Sequence, residues 1–229
     1  MTLGIMQPYL FPYIGYWQLI NAVDTFVIYD DVNYIKQGYI NRNSILSNGR
    51  SQQITLELIG ASSNKFINEI KVGNNSRKII KSLKQNYIKA PYFKEVSELL
   101  ENILLKEEKN LAKFIGFSIE EIATYLNIKT QFIYSSNIKK DNELKAQDKV
   151  IDICKQLKAT NYINAIGGQD LYSKDDFNRE NIQLNFLDTE LIEYKQLKND
   201  FIPYLSIIDI LMFNSENEIK EMLNNYKLV

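Results

Sequence analysis

The side chains able to do chemistry crowd the start of the chain: Gln7, Tyr9, Tyr13 and Tyr16, then Asp30-Asp31, then Lys36 and Asn41-Arg42-Asn43. Adjacent carboxylates at the end of a strand can accept hydrogen bonds from sugar hydroxyls, hold a divalent cation, or take a proton from an incoming amine. Successive strand residues face opposite ways, so one of Asp30 and Asp31 is expected to serve a site while the other caps or turns the chain. An arginine between two amides offers a planar fork for phosphate or carboxylate, with Lys36 nearby. The competing reading of Asn41-Arg42-Asn43 is a solvated arginine between two turn residues. Further along, Gly167-Gly168-Gln169-Asp170 could turn backbone N–H groups toward an anion, although its spacing is neither a dinucleotide fingerprint nor a Walker loop.

The absences narrow the chemistry. The chain has no histidine, which excludes a serine triad, a cysteine–histidine dyad and histidine-containing zinc sites. Acid–base work falls to carboxylates, lysine, tyrosine or the substrate, and no metal-ligating set is expected. The one cysteine, Cys154, lies among Val150, Ile151 and Leu157 at helical spacing and reads as core, not as a nucleophile.

These residues need a frame. Leu3 to Met6 is a short apolar run closed by Gln7-Pro8, and it reads as a buried strand ending in a loop. Tyr13 to Ala22 repeats apolar residues about once per turn and predicts a helix. Thr25 to Tyr29 is β-branched and aromatic, a second strand. Strand, loop, helix and strand make a right-handed βαβ unit. Pro8 and Pro12 fix the intervening loop, and Gly15 permits close approach of a ligand or a neighbouring strand at the helix start. Phe11, Ile14 and Trp17 read as core; Gln7, Tyr9 and Tyr16 are candidates for ligand contact.

Strands at Thr130–Tyr134, Asn161–Asn164 and Gln183–Leu187, separated by helices at Gln147–Leu157 and Lys174–Asn181, complete five candidate strands. The expected fold is α/β, a doubly wound and mainly parallel sheet, with an antiparallel insertion around 44–72 and a helical C-terminus. One domain over 1–229 is expected, with helical segments 76–127 and 206–227 packed on the sheet; Ser206 to Phe213 and Glu216 to Tyr226 read as its last helices, N-capped by Ser206 and Ser215. In such a sheet, ligands bind at the carboxyl ends of the strands, which brings the loop after the first strand, Asp30-Asp31 and Gly167-Gly168 to one edge.

A formal charge of −1 argues against a dominant polyanion-binding surface, hence against nucleic acid. The longest apolar runs, such as Ile207 to Phe213, are interrupted by Asp209 and fall short of the roughly 20 residues of a bilayer span. Met1 to Ile5 has no signal-peptide pattern, so the expected location is cytoplasmic.

Taken together, several segments resemble the WbqC-like protein family of bacteria. They are Met6-Gln7-Pro8-Tyr9-Leu10-Phe11-Pro12-Tyr13-Ile14-Gly15-Tyr16, Val27-Ile28-Tyr29-Asp30-Asp31-Val32, Ile40-Asn41-Arg42-Asn43, Lys89-Ala90-Pro91-Tyr92-Phe93, Tyr162-Ile163-Asn164-Ala165-Ile166-Gly167-Gly168 and Phe201-Ile202-Pro203-Tyr204-Leu205-Ser206-Ile207-Ile208-Asp209. The resemblance covers nearly the whole chain. It implies a place in O-antigen, lipopolysaccharide or other surface-polysaccharide biosynthesis, with transfer of glycine or another acyl group to an amino sugar. Some members carry a histidine near the helix that here spans Ser76 to Tyr87; this chain has none, so no catalytic histidine carries over. A looser, fold-level similarity is to nucleotidyltransferases and pantothenate synthetases, whose signature histidines are missing from Pro12-Tyr13-Ile14-Gly15-Tyr16.

The expectation is therefore an N-acyl- or aminoacyltransferase forming an amide on a nucleotide-linked deoxyamino sugar. Its donor would be a thioester on an acyl carrier protein or coenzyme A, with no tightly bound cofactor, and the chain could act as an oligomer. Asp30 or Asp31 would be the base or amine anchor; Tyr9 and Tyr16 would contact the sugar. Arg42 would clamp an anion, and Gln7 and Asn43 would position polar groups. The alternatives are an ATP-dependent ligase or nucleotidyltransferase, and a non-catalytic sugar-nucleotide-binding protein.

Overall fold

The computed structural model describes residues 1–197 and 200–229. The chain begins with β1 (Thr2–Met6), α1 (Ile14–Asn21) and β2 (Thr25–Ile28). It continues through β3 (Arg42–Ser47), β4 (Arg50–Thr55), β5 (Leu58–Ile59) and β6 (Lys71–Val72) to α2 (Ser76–Tyr87), α3 (Phe93–Leu104) and α4 (Leu111–Tyr125). Then come β7 (Gln131–Tyr134), α5 (Ala146–Gln156), β8 (Asn161–Ala165), α6 (Lys174–Arg179), β9 (Gln183–Thr189), α7 (Ile207–Phe213), α8 (Glu216–Met222) and β10 (Tyr226–Leu228).

The main sheet runs β10-β9-β8-β1-β2-β7. Every pair except β10–β9 is parallel, with Ile5 opposite Val27 and Gly4 opposite Ile163. Side-chain alternation sorts the two faces. Leu3, Ile5, Val27, Tyr162, Leu184 and Phe186 pack against Val150, Ile153 and Cys154 of α5 and Phe177 of α6. Phe26, Ile28 and Ile163 join Trp17, Leu19 and Ile20 of α1 and the apolar residues of α3, α4 and α7 on the other face. Helices on both faces of a mainly parallel sheet make the expected doubly wound α/β architecture. No helix among the described residues is long and apolar enough to cross a membrane.

From β1 the chain winds outward through β2 to β7, then returns across the sheet to β8 and β9. The strand order therefore reverses between β1 and β8. At such a switch point the loops leaving two neighbouring strands diverge and open a crevice.

Two expectations are refined. The antiparallel segments lie beside the main sheet as two separate hairpins, β3–β4 and β5–β6. The last helix stops at Met222 instead of continuing to Tyr226, and β10 pairs with the far end of β9. Gln18 of α1 donates to the carbonyls of Met222 (2.7 Å) and Asn225 (3.0 Å), which fixes the turn between them. Both serine caps form: Ser206 accepts from the Ile208 N–H, and Ser215 forms a capping box with Glu218.

The hairpin β3–β4, α2, α7 and the segment before α7 meet at one buried carboxylate. Asp209 accepts hydrogen bonds from Tyr87 Oη (2.8 Å), Tyr194 Oη (2.7 Å) and Gln196 Nε2 (2.8 Å), while Tyr87 Oη accepts the Leu46 N–H (2.9 Å). Gln196 also clasps Ile202 through its N–H and its carbonyl. Burial raises the Asp209 carboxyl above its ordinary value, outweighing the three donors that act to lower it. A raised folded-state value means the folded chain binds this proton more tightly than the unfolded chain. The contribution is fully present below the ordinary carboxylate range and is lost as pH rises through the raised value. Asp209→Ala is expected to lower the unfolding free energy by about 3 kcal/mol in urea titration, because three buried donors lose their acceptor. Asp209→Asn should lose less stability than wild type as pH rises from the ordinary carboxylate range.

Candidate functional site

The loop Gln7 to Tyr13 leaves β1 at the switch point, and side chains from distant elements hold its backbone. Tyr16 Oη donates to the Gln7 carbonyl (2.9 Å), and the Leu10 N–H donates to the Tyr39 carbonyl (3.1 Å). Asn43 Nδ2 forks onto the carbonyls of Leu10 (3.0 Å) and Phe11 (2.9 Å), and Ser206 Oγ adds a second donor to Phe11 (2.7 Å). Pro12 O accepts from Trp17 Nε1 (3.1 Å) and from the Ile207 N–H (2.9 Å). Phe11 has φ 44°, a left-handed conformation that costs a bulky residue on the order of 1–3 kcal/mol. Its fully buried ring and doubly bonded carbonyl hold it there.

Gly15 is required by close packing. A Cβ at this position would lie 2.4 Å from both Thr189 Oγ1 and Tyr13 Oη. Its absence lets Tyr13 fold back across the start of α1 toward the end of β9, the close approach of a neighbouring strand anticipated from sequence.

Between the loops that follow β1 and β8 lies a cavity of about 380 Å³. Tyr9, Tyr13, Tyr16, Tyr39 and Tyr204 line it, with Met6, Leu19 and Asn43 among the other walls. Tyr9 packs against Tyr16 (ring centroids 5.6 Å apart) and Tyr39 (6.0 Å). Tyr39 and Tyr204 are the exposed members, at 62% and 75%, and Tyr204 is held with φ 57°. Burial raises the phenols of Tyr9, Tyr13 and Tyr16, so all three stay protonated even in alkaline solution. None of the described lining residues carries a charge at neutral pH. The cavity can therefore hold a ring with an apolar face and hydroxyl edges, stacking it on phenols and bonding it through O–H groups other than that of Tyr16, which is spent on the Gln7 carbonyl.

The residues singled out from sequence divide. Tyr9, Tyr16, Asn43 and Gly167 come together in the cavity wall. Gly167 has open space where a Cβ would stand, whereas a Cβ on Gly168 would meet Asn164 Nδ2 at 2.4 Å. Gln7 contributes its carbonyl to the loop and is not part of the wall. Asn41 is spent structurally, accepting from Tyr34 Oη (2.8 Å) and donating to the Leu56 carbonyl (2.8 Å). Arg42 folds back on the carbonyls of Gly38 (3.0 Å) and Gln37, and Lys36 is exposed.

The two aspartates lie beyond the end of β2. Asp30 is 3% exposed and saturated, accepting from Ser136 N–H (2.9 Å), Ser136 Oγ (2.6 Å) and Asn68 Nδ2 (3.1 Å). It ties β2 to the segment after β7. Asp31 pairs through Oδ2 with Lys140 Nζ (2.6 Å) and has its Oδ1 buried without a partner. Tyr39, Tyr204 and Lys140 escaped the sequence reading. Tyr204 had a signal in the proline–aromatic run Ile202-Pro203-Tyr204; Lys140 sits in an unpatterned polar stretch. Among the described residues no three His, Cys, Asp or Glu side chains gather as a metal site.

Asn43→Asp keeps the shape of the fork but replaces its donor with an acceptor facing two carbonyls. A loss on the order of 3 kcal/mol in chemical denaturation is expected. Burial pushes the Cys154 thiol up to about 12. Its reaction with an aromatic disulfide at pH 8 should be roughly a thousandfold slower in the folded than in the unfolded chain.

The WbqC-like protein family model matches residues 7–221. The uncharacterized protein Rv1507c of Mycobacterium tuberculosis (strain ATCC 25618 / H37Rv) is 31% identical over 227 residues, covering 96% of this chain and 96% of its own length. No solved structure matches the chain. The matched span takes in the anchored loop, all five cavity tyrosines and both aspartates, and on this evidence the chain belongs to the WbqC-like protein family.

Proposed function

We propose that the protein is an amide-forming transferase of surface-glycan assembly. It moves an acyl or aminoacyl group from a thioester, carried on an acyl carrier protein or coenzyme A, to the amino group of a nucleotide-linked deoxyamino sugar. The observation that carries this reading is the uncharged, tyrosine-walled cavity at the switch point of the sheet. A pyranose presents C–H faces for stacking and hydroxyls for the phenols, and the wall offers little to a bare phosphate.

The reaction suits the available chemistry. The sugar nitrogen attacks the thioester carbonyl, the C–N bond forms, the C–S bond breaks, the thiolate leaves, and a nitrogen-bound proton passes to a base. A thioester is already activated, so a nucleophilic side chain is not needed. Cys154, buried with a raised thiol, has no part in it. Asp31, with an unpartnered carboxylate oxygen, is the base in this scheme; Asp30 has its oxygens occupied. One observation favours a second reading, a sugar-binding subunit without catalysis: the described cavity wall holds no base of its own.

Purified protein, incubated with nucleotide-linked amino sugars against acyl and aminoacyl thioesters and read by mass spectrometry, should yield an amide and free thiol. Asp31→Asn should lower kcat by about a hundredfold. Tyr9→Ala should raise KM for the sugar by about tenfold through loss of an aromatic face. Sugar-nucleotide binding without product across the panel would favour the binding subunit. Magnesium-dependent release of pyrophosphate would overturn both readings.

A further inference from the structure

One ion pair in this chain differs from the rest. The Lys140 side chain is 2% exposed and that of Asp31 is 14% exposed, whereas every other ion pair among the described residues has both side chains at least 33% exposed. Burying an ammonium and a carboxylate removes hydration that their attraction seldom repays in stability, so the pair is poorly explained as a fold-stabilising element.

Its surroundings point to a ligand. Lys140 Nζ bridges Asp31 Oδ2 and the carbonyl of Ser135, which draws the ends of β2 and β7 together. Flanking that bridge are two buried polar atoms with no partner, Asp31 Oδ1 and Ser135 Oγ. Each such atom costs about 1–3 kcal/mol when left unsatisfied. Tyr29, at the end of β2, faces the same carboxylate; burial chiefly, and then the charge of Asp31, raise its phenol, so it stands there as a neutral hydroxyl. All of these groups lie at the carboxyl edge of the parallel sheet.

We propose that Asp31 Oδ1 and Ser135 Oγ form an amine-recognition site, with Lys140 as the positioning residue that holds Oδ2 and leaves Oδ1 to accept an N–H of the ligand. This rests on the transferase reading for its substrate and adds where the sugar's amino group sits. The bridge lies at the ends of β2 and β7 and the tyrosine cavity between the ends of β1 and β8, so the two stand roughly 10 Å apart, about two strand spacings, along the same edge of the sheet. Lys140 donates and cannot accept, so it recognises nothing on the amine itself; it acts through Asp31.

Binding measured without turnover tests this, using glucosamine, glucose and N-acetylglucosamine as probes in calorimetric titration. Wild type should bind glucosamine at least about tenfold more tightly than glucose, since a hydrogen bond to a charged group discriminates by about that factor. Asp31→Asn should remove the preference. Lys140→Met should reduce it severalfold and Lys140→Arg should keep most of it, with circular dichroism showing all variants folded. Equal affinities in wild type, no detectable glucosamine binding, or an unchanged preference in Asp31→Asn would overturn the site. Amide formation by Asp31→Asn with wild-type KM for the amine would overturn the site and leave the transferase reading standing. Amine preference in a protein that never turns over would do the reverse.

Discussion

The fork of Asn43 onto the carbonyls of Leu10 and Phe11 is the contact on which the rest of the site depends. A loop that leaves a buried strand has backbone groups that must find partners, and here they find them on side chains, because the loop is too irregular for a ladder. The fork, Ser206 and Trp17 together hold Phe11 in a left-handed conformation that a free loop would abandon. That conformation lets Leu10 and Phe11 point into the core while Tyr9 and Tyr13 remain on the cavity wall. The donors come from β3, from α1 and from the cap of α7. The hairpin inserted after β2 and the cap of α7, nearly two hundred residues further on, therefore serve as the frame of the loop that follows β1.

Sheet topology decides where that loop can be useful. Because β8 returns to lie beside β1, the loop after β1 and the turn after β8 face each other with no crossover helix between them. The crevice is then closed by two exposed aromatic residues from loops, Tyr39 and Tyr204. Phenols dominate the wall, and burial holds those of Tyr9, Tyr13 and Tyr16 further still from ionisation; aromatic faces edged with neutral hydroxyls suit a polyhydroxylated ring more than a free anion.

Three aspartates show how environment assigns different work to the same side chain. Asp30 meets three donors and acts as a strut. Asp209 also meets three donors, and its desolvation outweighs them, so it records a cost that packing elsewhere offsets. Asp31 has one oxygen on a buried lysine and the other unmet, the arrangement in which a carboxylate keeps capacity for a ligand.

Period and composition carry the fold. Strand-length apolar runs ending at Met6, Tyr29, Tyr134, Asn164 and Leu187, alternating with helical spacing, specify a doubly wound sheet because burial on both faces leaves few other arrangements. The β10 strand was hidden, because three residues after a helix carry no periodicity and are ordered by the edge of β9 and by Gln18. At the site, the aromatic and proline density of residues 6–17 marked the loop, and Tyr9, Tyr16, Asn43 and Gly167 were legible as candidates. Asn41, Arg42 and Asp30 looked equally suitable, since residue type reveals capacity for hydrogen bonding and not whether that capacity is already used. Tertiary structure alone decided this: it brought Leu56, Gly38 and Ser136 to those three side chains, it brought Lys140 to the edge from a segment whose local pattern gave it no reason to be there, and it turned Tyr39 and Tyr204 onto the cavity.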